Sequence, residues 1–405
     1  MRLKDFSVLN PQYKGESLDC EVSFVPMESL RNGAIDYQDI PFAEGKGKYT
    51  YFQDGDLLVA KVTPCFENGN IAIANNMKQG VGFGSSEIFV LRMNDKVLNT
   101  YMFYITQTAK FQEGACATMC GVGGLKRISP LFMRTYELDI PSLSKQQRIV
   151  DYLGVKLGKI DARIAVLEKQ QDAYARLKKS VIHHAVTHGL DPNVSLKDSG
   201  VEWIGMIPEH WEVKRIKELC SFVSRGATPN YVDEGEYKVM NQAVFSTGNL
   251  NHKVVRYSSY MKSESQIKKG DLLIASTGGG VLGKLYFFDD EDLNFYADTH
   301  VTIVRSEKGL FCVKFLFYLL SYQFDMVNTC MAKGSTNQTE LQRDCLLSYE
   351  LAIPSLVEQQ TIIAYLDEKC AKIDTATENI GKQIDALKRL KRALINEVIT
   401  GRRAV

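Results

Sequence analysis

The sequence Ile140-Pro141-Ser142-Leu143 is followed by Gln146-Gln147, and the same pattern returns as Ile353-Pro354-Ser355-Leu356 followed by Gln359-Gln360. The two copies lie 213 residues apart (353 minus 140), and many of the positions that follow also match at this offset. The matches extend backwards as well, so that Arg2 corresponds to Arg215. A repeat of this length predicts two copies of one structural unit.

Each repeat begins with a strand-rich half. The segment Gly55–Ala60 corresponds to Gly270–Ala275 at an offset of 215, and both contain a short apolar run typical of a buried strand. Other runs of β-branched and aromatic residues are separated by Gly, Asn and Asp, which favour turns. The predicted strands include Glu87–Arg92 and Val301–Arg305, and the predicted helices are Tyr101–Thr108 and Val313–Tyr322.

Each repeat ends in a segment whose apolar residues recur every three or four positions, the spacing of one helix face. They are Leu153, Leu157, Ile160, Ile164, Leu167 and Tyr174 in the first repeat, and Leu366, Ile373, Ile380, Ile384 and Leu387 in the second. Leu177 and Leu390 extend the two stripes, and Gly189 and Gly401 stand where the helices should end. At 1.5 Å per residue each helix is about 60 Å long. An antiparallel coiled coil is expected, although such a stripe also fits a helix on a globular core.

The predicted fold class is therefore α+β: two strand-rich domains joined by two long helices that form an antiparallel coiled coil, with a pseudo-twofold internal repeat. The predicted boundaries are residues 1–141 for the first domain, 142–189 for the first helix, 190–214 for a linker and lead-in, 215–354 for the second domain and 355–401 for the second helix.

The composition is that of an ordinary globular protein, with 45% hydrophobic and 24% charged residues. Apolar runs long enough to cross a bilayer are not found, and the polar beginning Met1–Asp5 does not resemble a signal peptide, so we expect a cytoplasmic protein without a membrane partner. The nine cysteines are scattered, which favours reduced thiols. Because 49 basic residues nearly balance 48 acidic ones, any nucleic acid must bind to local patches or with a basic partner.

Two similar domains held a fixed distance apart suit a DNA target with two half-sites, since duplex geometry relates half-site spacing to protein spacing. The repeats are alike in the helices and differ in the loops of the domains. This pattern predicts that the helices set the spacing and that the loops read different bases.

Three segments resemble the specificity subunits of type I restriction and modification systems. They are the Ile-Pro-Ser-Leu-x-x-Gln-Gln segments, the Gly-Asp-Leu-Leu-(Val/Ile)-Ala segments, and Trp203–Val213, which reads Trp-Ile-Gly-Met-Ile-Pro-Glu-His-Trp-Glu-Val. The resemblance covers essentially the whole chain. It implies two target recognition domains, each of which reads one half of a bipartite DNA site, and two spacer helices.

The resemblance also implies a non-catalytic subunit of a larger complex. Its expected partners are double-stranded DNA, two methyltransferase subunits that use S-adenosylmethionine to methylate adenine, and restriction subunits that use ATP and magnesium. No cofactor is expected in this chain. Family members often carry an Ile-Pro-x-x-Trp-like lead-in before the first domain as well, whereas here Met1 directly precedes Arg2, the counterpart of Arg215. Different packing is therefore expected at the edge of the first domain.

Candidate base-reading residues are polar side chains in loops, because Arg, Lys, Asn and Gln match the hydrogen-bonding edges of purines. They are Asn68, Asn70, Lys126, Arg127, Lys284, Asn337, Gln338 and Gln342. Basic residues of the helices either face the DNA between the half-sites or form an ordinary solvated face. They are Arg176, Lys178, Lys179, Lys388, Arg389, Lys391 and Arg392.

Other motifs have competing interpretations. Gly278–Lys284 matches the Gly-x-x-x-x-Gly-Lys pattern of a phosphate-binding loop, but Leu285 replaces the required Ser or Thr and a strand is predicted to follow. A glycine-rich hairpin that approaches DNA phosphates fits better. His183, His184 and His188 suggest a metal site, yet the second helix has no corresponding histidines, which favours solvated side chains. No catalytic motif emerges. The alternatives to DNA recognition are a coiled-coil scaffold with two protein-interaction domains, or a nucleotide-dependent enzyme built on the glycine-rich loop.

Overall fold

The computed structural model describes residues 1–121, 124–278, 280–292, 294–307, 309, 311–322, 332–333 and 339–405. The chain divides into two compact units. The first unit contains Met1–Lys169 and Gly381–Val405, and the second contains Gln170–Ile380. Each unit therefore combines one strand-rich domain with a part of each long helix.

The helices of the described residues follow the order that the repeat predicts. They are α1 (Phe42–Gly45), α2 (Asn99–Thr106), α3 (Ala109–Ala117), α4 (Pro130–Thr135), α5 (Leu143–His188), α6 (Ile216–Leu219), α7 (Val313–Tyr322), α8 (Arg343–Ser348) and α9 (Leu356–Ile399). The short helices predicted before the long ones are confirmed as α2 and α7.

The strands are short and fall mostly in the two domains. Those of the first unit are β1 (Ser7–Leu9), β2 (Glu21–Val25), β3 (Leu30–Arg31), β4 (Ala34–Ile35), β5 (Gln38–Pro41), β6 (Thr50–Gln53), β7 (Leu57–Ala60), β8 (Ile71–Ile73), β9 (Val81–Gly84) and β10 (Ile88–Met93). Those of the second unit are β11 (Leu196–Asp198), β12 (Met206–Pro208), β13 (Glu212–Arg215), β14 (Phe222–Arg225), β15 (Tyr231–Val232), β16 (Tyr237–Met240), β17 (Arg256–Ser258), β18 (Leu272–Ala275), β19 (Leu285–Phe287), β20 (Phe295–Ala297), β21 (Val301–Arg305), β22 (Ala332–Lys333), β23 (Glu340–Leu341) and β24 (Glu350–Ile353).

Both domains contain two four-stranded sheets. In the first domain the strand orders are β1-β10-β7-β8 and β5-β2-β9-β6, and in the second they are β14-β21-β18-β19 and β15-β17-β16-β20. The Gly-Asp-Leu-Leu segments form the central strands β7 and β18, all of whose residues are buried. Each second sheet includes one parallel pair, β2 with β9 or β16 with β20. The first sheets match strand for strand, and the second sheets share three strands in the same order, β5-β2-β9 and β17-β16-β20, so one fold occurs twice.

The Gln-Gln motif explains how each long helix is attached to its domain. Gln146 is fully buried, where its Oε1 accepts from the backbone N of Leu98 at 2.9 Å and its Nε2 donates to the carbonyl oxygen of Pro141 at 2.9 Å. Its counterpart Gln359 makes the same two kinds of bond, with Cys312 N at 2.9 Å and the Pro354 oxygen at 3.0 Å. A buried amide needs such partners. The motif therefore fixes the beginning of each long helix beside the segment before α2 or α7.

A buried ion pair also occurs in both domains. Arg92 of β10 forms two hydrogen bonds with the carboxylate of Asp56, at 2.9 and 2.7 Å, and Arg305 of β21 does the same with Asp271, at 2.7 and 2.6 Å. The two aspartates expose 2% and 1% of their side chains. Each Asp precedes a central strand, so the pair joins this strand to its neighbour.

The two long helices pack antiparallel within each unit. In the second unit, Lys178 of α5 binds Asp374 of α9 at 2.6 Å. In the first unit, Lys391 of α9 binds Asp161 of α5 at 2.7 Å. Asp161 and Lys178 correspond to Asp374 and Lys391 at the offset of 213, so the two ion pairs are equivalent. In each pair the lysine of one helix binds the aspartate of the other, which is what an antiparallel pairing of two repeats produces.

The structure buries most of the predicted apolar stripe. Of the eleven positions first named in the two stripes, Ile160, Tyr174 and Leu387 are half-buried and all the others are buried. Leu177 and Leu390, by contrast, expose 47% and 53%, so their prediction as stripe residues is wrong. They are equivalent positions of the repeat, and each lies outside the face of its helix that packs on the other long helix.

The ends of the helices agree with the glycine prediction. Gly189 follows α5 with φ +76°, and Gly401 follows α9 with φ +74°, a backbone conformation that glycine adopts without steric cost. Among the described residues, no helix has the length and apolar character needed to cross a membrane.

Candidate nucleic-acid interface

In the first domain, the end of β7 meets a second loop segment. The backbone N of Thr63 donates to the Lys126 oxygen at 3.0 Å, and Ile128 N donates to the Lys61 oxygen at 2.9 Å. Lys126 and its neighbour Arg127 are thereby placed beside the 61–70 loop, and both are exposed. We call residues 61–70 and 124–128 the first edge.

The guanidinium of Arg127 is held by a residue that the sequence did not single out. Glu87 accepts from Nε and Nη2 of Arg127 at 2.9 and 2.7 Å, and these bonds lower the pKa of the Glu87 carboxyl. Beside it, Nζ of Lys61 donates to the Ser86 oxygen, and burial lowers the pKa of this lysine. The first edge thus presents an oriented guanidinium.

The two asparagines predicted in the same loop differ in exposure. Asn68 is exposed, whereas Asn70 is 9% exposed and its backbone N donates to the Cys65 oxygen at 3.0 Å. Asn68 is therefore the better placed of the two to reach a ligand.

In the second domain, the glycine-rich segment forms the hairpin between β18 and β19. Gly278, Gly280 and Gly283 have φ of +97°, +83° and +77°, and Gly283 N donates to the Ala275 oxygen at 2.8 Å. The strand predicted after Lys284 is confirmed as β19, which pairs antiparallel with β18. A phosphate-binding loop leads into a helix instead, so the local geometry favours the hairpin interpretation.

The hairpin contacts β23 in the same way as residues 61–70 of the first edge contact residues 124–128. Leu341 N donates to the Ser276 oxygen at 2.9 Å, and Thr277 forms a β-bridge with Glu340. Nη1 of Arg225 lies 3.2 Å from a carboxylate oxygen of Glu340. Lys284 and Gln342 are half-buried here, whereas Asn337 and Gln338 lie outside the described residues. We call residues 276–278, 280–284 and 339–342 the second edge.

The two edges are equivalent in the repeat but carry opposite charges at one equivalent position. Val62 forms a β-bridge with Arg127, and their counterparts Thr277 and Glu340 form the corresponding bridge. The basic residue of one edge is therefore replaced by an acidic residue on the other. Glu87 in turn corresponds to His300, whose Nδ1 lies 2.6 Å from Oγ1 of Thr277.

Comparison with known proteins identifies the family. A family model described as "Type I restriction modification DNA specificity domain" matches residues 14–171 and 208–386, well over half of the chain. The chain belongs to this family. Its two matches coincide with the two repeats.

Several specificity subunits are similar to this chain. The type I restriction enzyme EcoEI specificity subunit of Escherichia coli is 34% identical over 152 residues, which cover 36% of this chain and 26% of that protein. The chain thus spans about a quarter of that relative, and the EcoAI specificity subunit of the same species gives a similar share, 25%. The MjaVIII specificity subunit of Methanocaldococcus jannaschii is 25% identical and is covered to 87%, with 96% of this chain.

A solved structure supports the fold. It comes from work described as the structural basis of complex assembly and conformational transition of the type I R-M system, and it matches with a TM-score of 0.75 at 17% identity. The match covers 98% of this chain and 96% of the other. At this identity the likeness shows that the two chains share a fold over essentially their whole length.

Two further positions of the second domain escaped the sequence analysis. Oε1 of Gln242 is buried and accepts no hydrogen bond from the described residues, and a Cβ atom on Gly278 would lie 3.3 Å from Nε2 of the same side chain. On the second sheet of this domain, the guanidinium of Arg256 lies 3.6 Å from the ring centre of Tyr231. Neither residue lies near the hairpin in sequence, so only the fold reveals these positions.

The three histidines near the end of α5 pack against neighbouring rings. His183 stacks on Tyr322 with ring centroids 4.2 Å apart, and His184 stacks on His188 at 5.4 Å. Burial lowers the pKa of His183 and of His188. Within the part of the chain that the structure describes, no group of three or more His, Cys, Asp or Glu residues is arranged to hold a metal ion.

The basic residues of the long helices fall into two groups. Lys178 and Lys391 are engaged in the ion pairs with Asp374 and Asp161. The exposed ones are Arg176, Lys179, Lys388, Arg389 and Arg392. Only this second group is available to a ligand without the loss of a contact between the helices.

Proposed function

We propose that this chain is the DNA specificity subunit of a type I restriction-modification complex and that it reads a bipartite DNA target. The observation that carries the proposal is the pair of edges, which occupy the same place in two copies of one fold but present different chemical groups. A protein that reads two unlike half-sites needs such a pair. A scaffold for two identical partners would not need different edges.

The chemistry of the edges favours different bases. An arginine held by two hydrogen bonds matches the O6 and N7 acceptors of guanine in the major groove, which Arg127 on the first edge can offer. A carboxylate instead accepts from the N4 amine of cytosine, which suits Glu340 on the second edge. Asn68, Lys126, Lys284 and Gln342 then contribute further base or phosphate contacts, and Asn70, Asn337 and Gln338 stay candidates from the sequence.

The proposal assigns catalysis to partner subunits. The chain itself does no chemistry and holds no cofactor, and two methyltransferase subunits supply adenine methylation with S-adenosylmethionine. Restriction subunits supply cleavage with ATP and magnesium. In this proposal the complex works in the cytoplasm, residues 142–189 and 355–401 set the spacing between the half-sites, and residues 1–141 and 215–354 are the reading domains.

Mapping of methylated adenines along single DNA molecules tests this function. Cells that carry the locus are compared with cells from which only this chain has been deleted. We expect a split motif that disappears completely on deletion. Unchanged methylation in the presence of an active methyltransferase would contradict the proposal and favour the protein-binding scaffold.

A further inference from the structure

One face of the second sheet of the second domain carries aromatic rings around an arginine. It is centred on Val239 of β16, which lies opposite Arg256 of β17 and opposite Tyr296 of β20. Directly opposite residues point to the same side of a sheet, as do alternate residues of one strand. By the same registers, Tyr237 of β16 and Tyr231 of β15 lie on this side. We call Tyr231, Tyr237, Arg256 and Tyr296 the tyrosine face.

The guanidinium of Arg256 lies over an aromatic ring at the surface of the domain. Its Cζ is 3.6 Å from the ring centre of Tyr231, and the arginine is exposed. Among the described residues, none accepts a hydrogen bond from this guanidinium. The guanidiniums of Arg225 and Arg343 in the same domain, by contrast, donate to backbone oxygens. Stacking orients a guanidinium while the N–H groups at its edge stay available to a ligand.

The first domain covers the equivalent face with its own chain. Phe24 corresponds to Val239, because Phe24 lies opposite Phe83 as Val239 lies opposite Tyr296, and Phe83 and Tyr296 are 213 residues apart. Phe83 is buried in a cluster with Phe42 of α1, and the two ring centroids are 5.7 Å apart. The tyrosine face of the second domain is instead half-exposed. The two domains therefore offer different surfaces to a ligand here.

A short series of contacts joins the tyrosine face to the second edge. Burial and the charge of Asp298 raise the pKa of the Tyr231 hydroxyl, which places this carboxylate near the ring. Oδ1 of Asp298 accepts from the backbone N of His300 at 2.9 Å. Nδ1 of His300 lies 2.6 Å from Oγ1 of Thr277, a residue of the second edge. A ligand that binds the second edge is thus brought close to the tyrosine face.

The charges along β16 favour the end of the sheet where Arg256 lies. Arg256 is opposite Val239, near the end of β16 that leads to Gln242. A Cβ atom on Gly278 of the second edge would lie 3.3 Å from Nε2 of Gln242. The acidic connection 233–236, Asp-Glu-Gly-Glu, lies at the other end of β16. Because DNA is a polyanion, it approaches the Arg256 end more favourably.

We propose that Arg256, positioned by Tyr231, reads a guanine in the half-site that the second domain recognises. The inference rests on the proposed function and adds a base-reading residue outside the second edge. A guanidinium donates two parallel hydrogen bonds to O6 and N7 of guanine, a pair of acceptors that the major groove presents only at this base. Tyr231 touches the arginine and not the base, so it is a positioning residue.

Methylation by the assembled complex tests this inference, on DNA in which both half-sites are randomised one position at a time. We expect Arg256→Ala to remove a guanine preference of about tenfold to a hundredfold at one position of one half-site, and to leave the other positions unchanged. Arg256→Lys keeps the charge but not the planar donor group, so it should lose most of this preference as well. Lys253→Ala removes an exposed charge from the same domain and is the matched control, with no change in any base preference.

Variants of Tyr231 test the positioning. Tyr231→Leu removes the ring and should reduce the same guanine preference by about threefold, whereas Tyr231→Phe keeps the ring and should retain the preference. A structural role alone would not confine the change to one base position. Hydrogen exchange of the second domain checks that each variant is folded.

Two results would overturn the inference while the proposed function stands. The first is a split motif that depends on this chain but keeps every base preference in the Arg256→Ala complex. The second is an equal slowing on all sequences that Arg256→Lys restores, which would assign Arg256 to a DNA phosphate. Failure of the proposed function gives a different result, because the wild-type complex then shows no split motif, and this would overturn both.

Discussion

The two recognition domains keep the same framework but differ at the edge where their loops meet. Asp56 and Arg92 form the same buried pair as Asp271 and Arg305, with nearly the same distances. At the edges, Arg127 of the first domain is replaced by Glu340 in the second. The repeat thus preserves the contacts that position the strands and varies the groups that face outward. In the proposed function, this separation is what lets one fold read two sequences.

The largest expected effect concerns the shared framework. Removal of one partner leaves the other ion largely buried without compensation, so Asp56→Ala and Asp271→Ala should each destabilise their own domain by about 3 kcal/mol. Hydrogen exchange in increasing urea measures the free energy of opening of each domain separately. Lys78→Ala is the control, because its pairs with Asp39 and Glu21 are exposed and its loss should leave the opening free energy of the first domain essentially unchanged.

Equal losses in the two domains would support one framework used twice. A loss below about 1 kcal/mol in either domain would instead mean that this pair adds little and that the apolar core alone holds the strands together.

The next effect concerns the edges and rests on the proposed function. Arg127→Ala should weaken recognition of one half-site by about tenfold to a hundredfold, the cost of one bidentate base contact, and leave the other half-site unchanged. Glu340→Ala should affect only the second half-site. The measurement is the methylation rate of the assembled complex on DNA libraries in which one half-site at a time is randomised.

Phosphate contacts provide the contrast to this prediction. If Arg127 binds the DNA backbone, Arg127→Ala slows methylation of all sequences alike and reduces its salt dependence. That result would mean that Arg127 does not read a base. The proposed difference between the half-sites would then rest on Glu340 alone.

The sequence predicted the framework better than the edges, for a physical reason. Strands and helices follow from apolar periodicity within a short window, which is why β21 and α7 have the predicted bounds. The Arg127–Glu87 pair joins residues 40 positions apart and leaves no periodic signal. The stripe failed at Leu177 and its counterpart, because helix periodicity alone does not define how wide the contacting face is.

The smallest expected effect is a difference between the two units in how their stability depends on pH, and it arises at the ends of the long helices. In the second unit, burial and the charges of His188 and His184 lower the pKa of His183 below its usual 6.5, in a cavity that Glu350 and Tyr322 also line. The unfolded state therefore takes up a proton first as the pH falls, and the second unit should lose stability from about pH 7 to pH 5. In the first unit the equivalent residue is Asn396, which does not titrate.

His183→Asn copies the first unit into the second and should reduce this loss, so that amide exchange of the second unit slows by about twofold at pH 5.5 and is unchanged at pH 8. Hydrogen exchange at the two pH values measures both units in one sample, so the first unit serves as the internal control. An unchanged pH dependence in the variant would assign the loss to other groups. The two helix ends would then differ in side-chain packing but not in their response to protons.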